Sequence, residues 1–194
     1  MNRDGQATER SGRRRVPTAL ALGLGVLVLA VLGFVLVKAF GGEEEKKGGI
    51  TTVQGPSSDP FKVDLPPGWR ALRREELATL PGRPLGVLRR NDGKGFVVIR
   101  RERPAARDFA KLSRELDREL GRRLKDFKRQ SARTVKVRAG RAFFYSYVRE
   151  RRGTVHSIVI VPAGGRSYAL NTVAQGGENA VAREIGRMVV SFDL

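Results

Sequence analysis

RAFFYSYVRE, residues 141–150, is the stretch that decides the fold. In an extended chain successive side chains point to opposite sides, so Phe143, Tyr145 and Tyr147 share one face while Phe144, Ser146 and Val148 share the other. Apolar bulk on both sides calls for a sheet covered twice. The sequence offers a cover on each flank. Upstream, Phe109, Leu112, Leu116, Leu120, Leu124 and Phe127 recur at three- and four-residue steps behind Asp108, which is suited to cap a first turn. That spacing predicts a helix through about Lys125. Downstream, from about Glu178, Val181, Ile185 and Met188 form a second amphipathic segment ahead of the apolar end from Val189 to Phe192.

The neighbouring segments complete an antiparallel pattern. Thr154 to Val161 and Ser167 to Ala174 continue as a meander, punctuated by Arg152-Gly153 and by Pro162 through Gly165. Leu85 to Arg90 and Gly95 to Arg101 flank Asn91, Asp92 and Gly93, which carry hairpin chemistry. Phe61, Val63 and Leu65 alternate with Lys62 and Asp64 in a short strand ended by Pro66, Pro67 and Gly68. Trp69, the sole tryptophan, reads as a core plug near the chain entrance. Residues Arg73 to Leu80 read as a helical turn that Pro81 stops. The expected fold class is α+β: one antiparallel β-sheet with helices on both faces, in a single domain over residues 61–194.

Ahead of that domain the composition changes. Residues 16–38 are almost wholly apolar and follow Arg13, Arg14 and Arg15. At about 1.5 Å per residue they form a helix long enough to cross a hydrocarbon core of about 30 Å. The run exceeds the apolar core of a cleaved secretory signal, which favours an uncleaved anchor. Arg3, Arg10, Arg13, Arg14 and Arg15 precede it, while Lys38 closes it and Lys46 and Lys47 follow. The expected topology is therefore a single pass through the cell membrane, with residues 1–15 a short basic cytoplasmic tail and the C-terminal domain extracytoplasmic. Residues 39–60, rich in Gly, Ser, Pro and charge, read as a flexible linker.

The formal net charge is +18, and residues 61–194 hold 30 Lys and Arg against 14 Asp and Glu. Such a surface attracts anionic headgroups, wall polymers and other polyanions. The candidate anion-contacting face is Arg118, Arg122, Arg123, Lys125, Lys128 and Arg129, joined by Arg151 and Arg152 from a hairpin end. A solvated basic face without a ligand is the plainer reading of the same residues. Nucleic acid is disfavoured, because the aromatics alternate in core strands instead of interleaving with the basic run.

No enzyme chemistry stands out. There is no cysteine, and the one histidine, His156, has no metal-ligand spacing around it. No nucleophile elbow or P-loop occurs. Gly164-Gly165 and Gly176-Gly177 read as turns before anion cradles. No catalytic residue, cofactor or metal is expected.

The order of motifs resembles the PsbP-like domains. The opening FKVDLPPGW at 61–69, the Gly140-Arg141-Ala142 entrance to a strand, the RSYAL strand at 166–170 and the terminal Val190-Ser191-Phe192 carry that likeness across residues 60–194. The resemblance implies a PsbP-like α/β/α sandwich and a binding or assembly role without catalysis; no functional residue transfers with it. The acylated cysteine of the lipoprotein members is missing, and the apolar helix takes over anchoring. The expected function is a membrane-anchored binding or assembly module, integral in lipid, with a protein partner in the membrane or envelope and contacts to anionic lipid or wall polymer. Alternatives are a cytoplasm-facing basic domain that binds nucleic acid or another polyanion, and an unrecognised enzyme.

Overall fold

The computed structural model describes residues 50–102, 108–176 and 179–194. The described strands and helices are β1 (Thr51–Gln54), β2 (Lys62–Leu65), β3 (Trp69–Ala71), α1 (Arg74–Ala78), β4 (Gly86–Arg90), β5 (Gly95–Glu102), α2 (Phe109–Arg123), β6 (Phe127–Val137), β7 (Gly140–Arg149), β8 (Thr154–Ala163), β9 (Arg166–Gln175) and α3 (Asn179–Ser191). β1 and β2 form a separate ribbon, and the other seven strands form one sheet in the order β3-β4-β5-β9-β8-β7-β6. Every pairing is antiparallel.

β7 is covered on both faces, fully on the Phe143, Tyr145 and Tyr147 side and in part on the other, where Ala142 and Ser146 are buried and Phe144 and Val148 half-buried. Phe143, Tyr145 and Tyr147 join Ile158 and Ile160 under Leu112, Leu116 and Leu120 of α2. On the other side, Ala142, Val159, Val161, Tyr168 and Leu170 pack with Val181, Ile185 and Met188 of α3. The β1–β2 ribbon extends this second cover through Val63 and Leu65, with Phe61 just ahead of β2. A smaller cluster of Leu72, Val87 and Val98 lies beneath Leu77 and Leu80, in and just after α1. The sheet is thus an antiparallel layer with helices on both faces.

Trp69 is a core plug, as expected, and it sits at the start of β3, an edge strand too short to show as a period. Its indole Nε1 donates to Glu184 Oε2 of α3 at 2.8 Å. The ring lies so close to β5 that a Cβ at Gly95 would come within 2.6 Å of it and 2.8 Å of Val181. Only glycine fits there without displacement.

Three boundaries differ from the sequence reading. α2 ends at Arg123 and Leu124 is already extended, so Phe127 opens β6 instead of closing the helical stripe. β6 itself escapes the apolar-period reading because it is an edge strand with Lys128, Arg129, Arg133 and Lys136 all exposed. The flexible reading of residues 39–60 does not hold over its last part. Thr51–Gln54 pair with β2, and Asp59 is buried against Arg101 and Arg166. The tail 1–15, the membrane span 16–38 and residues 39–49 lie outside the described residues, among which no helix is long and apolar enough to cross a membrane.

Candidate functional site

α2 brings the basic residues to one end of the sheet. Asp108 caps it, accepting from the Lys111 backbone N–H at 2.8 Å, and the leucine stripe fixes its rotation. Arg122 and Arg123 therefore fall in the last turn, where cations complement the helix dipole. The chain then reverses into β6, with the Phe127 ring 5.5 Å from Tyr147. β6 pairs with β7 so that Phe127 stands opposite Arg149. The 3-10 turn Glu150–Arg152 follows directly, which sets Arg151 and Arg152 beside the α2–β6 reversal.

A buried ion pair locks this arrangement. Arg149 Nε meets Asp126 Oδ1 at 2.6 Å, both side chains being almost enclosed. Burial alone would raise the Asp126 pKa; the Arg149 hydrogen bond and charge outweigh it and hold the carboxyl below its usual range. The Glu150 backbone N–H also donates to the Asp126 carbonyl at 3.2 Å. The α2–β6 reversal and the remote β7–β8 turn are thereby held as one surface.

Much of the charge is internally paired. Arg122 meets Glu119 at 2.6 Å, Arg123 also contacts Glu119, Arg129 meets Asp117 at 2.7 Å, and Lys128 meets Glu150 at 3.2 Å. Arg118, Lys125 and Arg151 make no ion pair with a described residue and are exposed. Arg118 stands one helical turn back from Arg122. Counting Arg149, nine cations here meet four carboxylates, Asp117, Glu119, Asp126 and Glu150, which leaves five positive charges in excess. The surface suits a multivalent anionic partner that contacts several exposed guanidinium and ammonium groups together.

The titratable groups beneath it serve the core. Tyr145 donates to Asp117 Oδ1 at 2.7 Å, and burial with that carboxylate pushes its phenol far above the usual value. Tyr147 is pushed up to about 12, chiefly by burial. His156 stacks on Tyr147 at 4.9 Å with Nε2 2.9 Å from Thr154 Oγ1. Burial first, then Arg149 and Arg152, pushes it down to about 4. It is a neutral core imidazole at pH 7. Among the described residues no group of three His, Cys, Asp or Glu side chains is placed to hold a metal ion.

The other end of β8 carries a second feature that the sequence did not announce. A pocket of about 440 Å³ is lined by Pro60, Ala163, Gly164, Gly165, Arg166, Tyr168 and Leu194. Gly164 and Gly165 have φ of 44° and 81°, so the pair is the left-handed turn joining β8 to β9. Gly177 of the other pair lies outside the described residues. Beside the pocket, Asp59 takes Arg101 at 2.9 and 3.0 Å and Arg166 at 3.2 Å. Tyr168 donates to the Pro60 carbonyl at 3.1 Å. These contacts pin the segment entering β2, and no sequence spacing signals them because Asp59 and Arg166 are 107 residues apart.

No protein-family model and no curated protein sequence matches the chain. Solved structures do match in three dimensions. The cyanobacterial PsbP protein (CyanoP) of Synechocystis sp. PCC 6803 aligns with a TM-score of 0.54 at 11% identity, over 79% of this chain and 98% of that one. LpqN of Mycobacterium tuberculosis, involved in cell envelope biogenesis, aligns at 0.51 with 16% identity, over 75% and 91%. The Ran-binding protein Mog1p of Saccharomyces cerevisiae aligns at 0.51 with 10% identity, over 77% and 95%. Identities this low speak for the fold alone, and on that evidence the chain has the PsbP-like α+β fold.

Proposed function

We propose that this protein is a single-pass, membrane-anchored binding or assembly module, without catalytic activity, whose PsbP-like domain lies outside the cytoplasmic membrane. The basic end formed by α2, β6 and the β7–β8 turn contacts anionic headgroups or wall polymer, and the domain engages a protein partner in the membrane or envelope. The observation that carries this reading is the convergence of Arg122, Lys125, Lys128, Arg151 and Arg152 from three segments, locked by the buried Asp126–Arg149 pair. Structural neighbours described as Ran-binding and as involved in cell envelope biogenesis support a binding or assembly role on this fold. The apolar run 16–38 and its basic N-terminal flank support the anchor and its orientation.

Protease shaving of intact cells tests the placement. Digestion of the domain while a cytoplasmic marker survives is the expected result. Protection until lysis rejects the external domain and favours the cytoplasm-facing alternative.

A further inference from the structure

We propose that the open edge of β6 is a strand-addition site for an extended, acidic segment of a partner protein. β6 has eleven residues and closes one side of the seven-stranded sheet, whereas the opposite edge, β3, has three. Beyond its ladder with β7, its described backbone bonds lie at its two ends, from Phe127 N–H to the Leu124 carbonyl and from Arg138 N–H, just past the strand, to the Val190 carbonyl. The helices pack over the faces of the sheet and leave the outward backbone groups between those ends without a described backbone partner. An edge of this kind is a template for an added strand.

Side-chain charge selects the occupant. β6 holds Lys128, Arg129, Arg133 and Lys136 and no carboxylate. Lys128 and Arg129 are taken by Glu150 and Asp117. Arg133 lies over the Phe144 ring at 5.4 Å, and neither it nor Lys136 has an ion-pair partner among the described residues. A bulge separates Arg129 from Ser131, after which the register runs unbroken from Ser131 to Val137, so both cations sit on the regular part of the edge. Being three residues apart, they face opposite sides of the sheet. An incoming strand with two acids three residues apart meets both.

A second copy of this chain is the wrong occupant. In no register do two β6 edges bring opposite charges together, and wherever their cations do meet, like charges across strands are destabilising. The lysine and arginine that guard the edge against self-association thus favour an acidic strand. The regular part of the edge, Ser131 to Val137, contains none of the basic-end cations Lys128 and Arg129, so loss of anion contact at that end leaves this proposal standing, and the reverse.

The test uses the full-length protein in a neutral detergent with three synthetic peptides, TEVTEVT, TKVTKVT and TEVPEVT. TEVTEVT is expected to bind about tenfold more tightly than either other peptide and to slow amide exchange across residues 131–137. Arg133→Glu/Lys136→Glu, with an unchanged thermal midpoint, is expected to prefer TKVTKVT; Lys136→Glu alone serves if the double variant unfolds. Equal binding of the proline peptide, undiminished TEVTEVT binding by the variants, protection elsewhere in the chain, absence of binding, or dimers abolished by the variants each overturns the proposal.

Discussion

Gly95→Ala adds one methyl group where β5, Trp69 and α3 meet in the core. The new Cβ would lie 2.6 Å from the Trp69 ring and 2.8 Å from Val181, against ordinary carbon contacts of about 3.5–4.0 Å. Neither neighbour yields easily, since Trp69 is held by Glu184 and Val181 is fully buried on α3. Overpacking of this kind costs about 1–3 kcal/mol, and alanine recovers about 0.4–1 kcal/mol by restricting the unfolded chain. The net loss is roughly 1–2 kcal/mol, a drop in thermal midpoint of roughly 3–6 °C for a domain of this size. Circular dichroism through the melt measures it, with Trp69 fluorescence as a local reporter. A double-mutant cycle locates the cause: with Trp69→Phe in place, the alanine should cost at least about 1 kcal/mol less, because the outer ring atoms it strikes are gone. An unchanged or raised midpoint, or strict additivity with Trp69→Phe, would refute the packing of β3 and α3 around Gly95.

Other outcomes follow from the same structure. Leu116→Ala, which hollows the α2 cover over β7, should cost about 2–5 kcal/mol by urea denaturation. Asp126→Asn leaves Arg149 uncompensated in a nearly enclosed site and should cost about 3 kcal/mol at pH 7. Because the folded Asp126 carboxyl is depressed, its stabilisation is present above the ordinary carboxylate range and lost as pH falls through the folded value. The variant should therefore show a shallower loss in acid melts. His156, down at about 4 when folded against about 6.5 unfolded, binds its proton mainly in the unfolded chain. His156 should lower stability between about pH 6.5 and 4, by roughly 3 kcal/mol at most, and a His156→Gln variant should lose that component of the pH dependence.

How much the sequence disclosed depended on whether a residue reported its own burial. The two-sided apolar pattern of 141–150 and the leucine stripe of α2 named the sheet and both covers, because faces of regular elements repeat at a fixed period. β6 was invisible for the converse reason: as an edge strand it keeps Lys128, Arg129, Arg133 and Lys136 in water and shows no apolar alternation. β1 was hidden by the Gly, Ser and Pro around it, and its existence depends on β2, with Thr51 paired to Leu65. The basic residues were legible as a list but not as a surface. Their convergence rests on Asp126 meeting Arg149 and on the register of Phe127 against it, relations that exist only once the sheet has formed. The Asp59 cluster and the pocket at the β8–β9 turn are long-range in the same way.

Photocrosslinking in intact membranes addresses function without assuming a ligand. A photoreactive side chain placed at Arg151, at the exposed turn of the basic end, is compared with one at Arg187, on the exposed side of α3. Position 151 is expected to capture anionic lipid or wall polymer in a salt-sensitive manner that position 187 does not reproduce. Equal capture from both positions, or none of either anionic species from 151, would contradict a role for the α2 end as the contact surface.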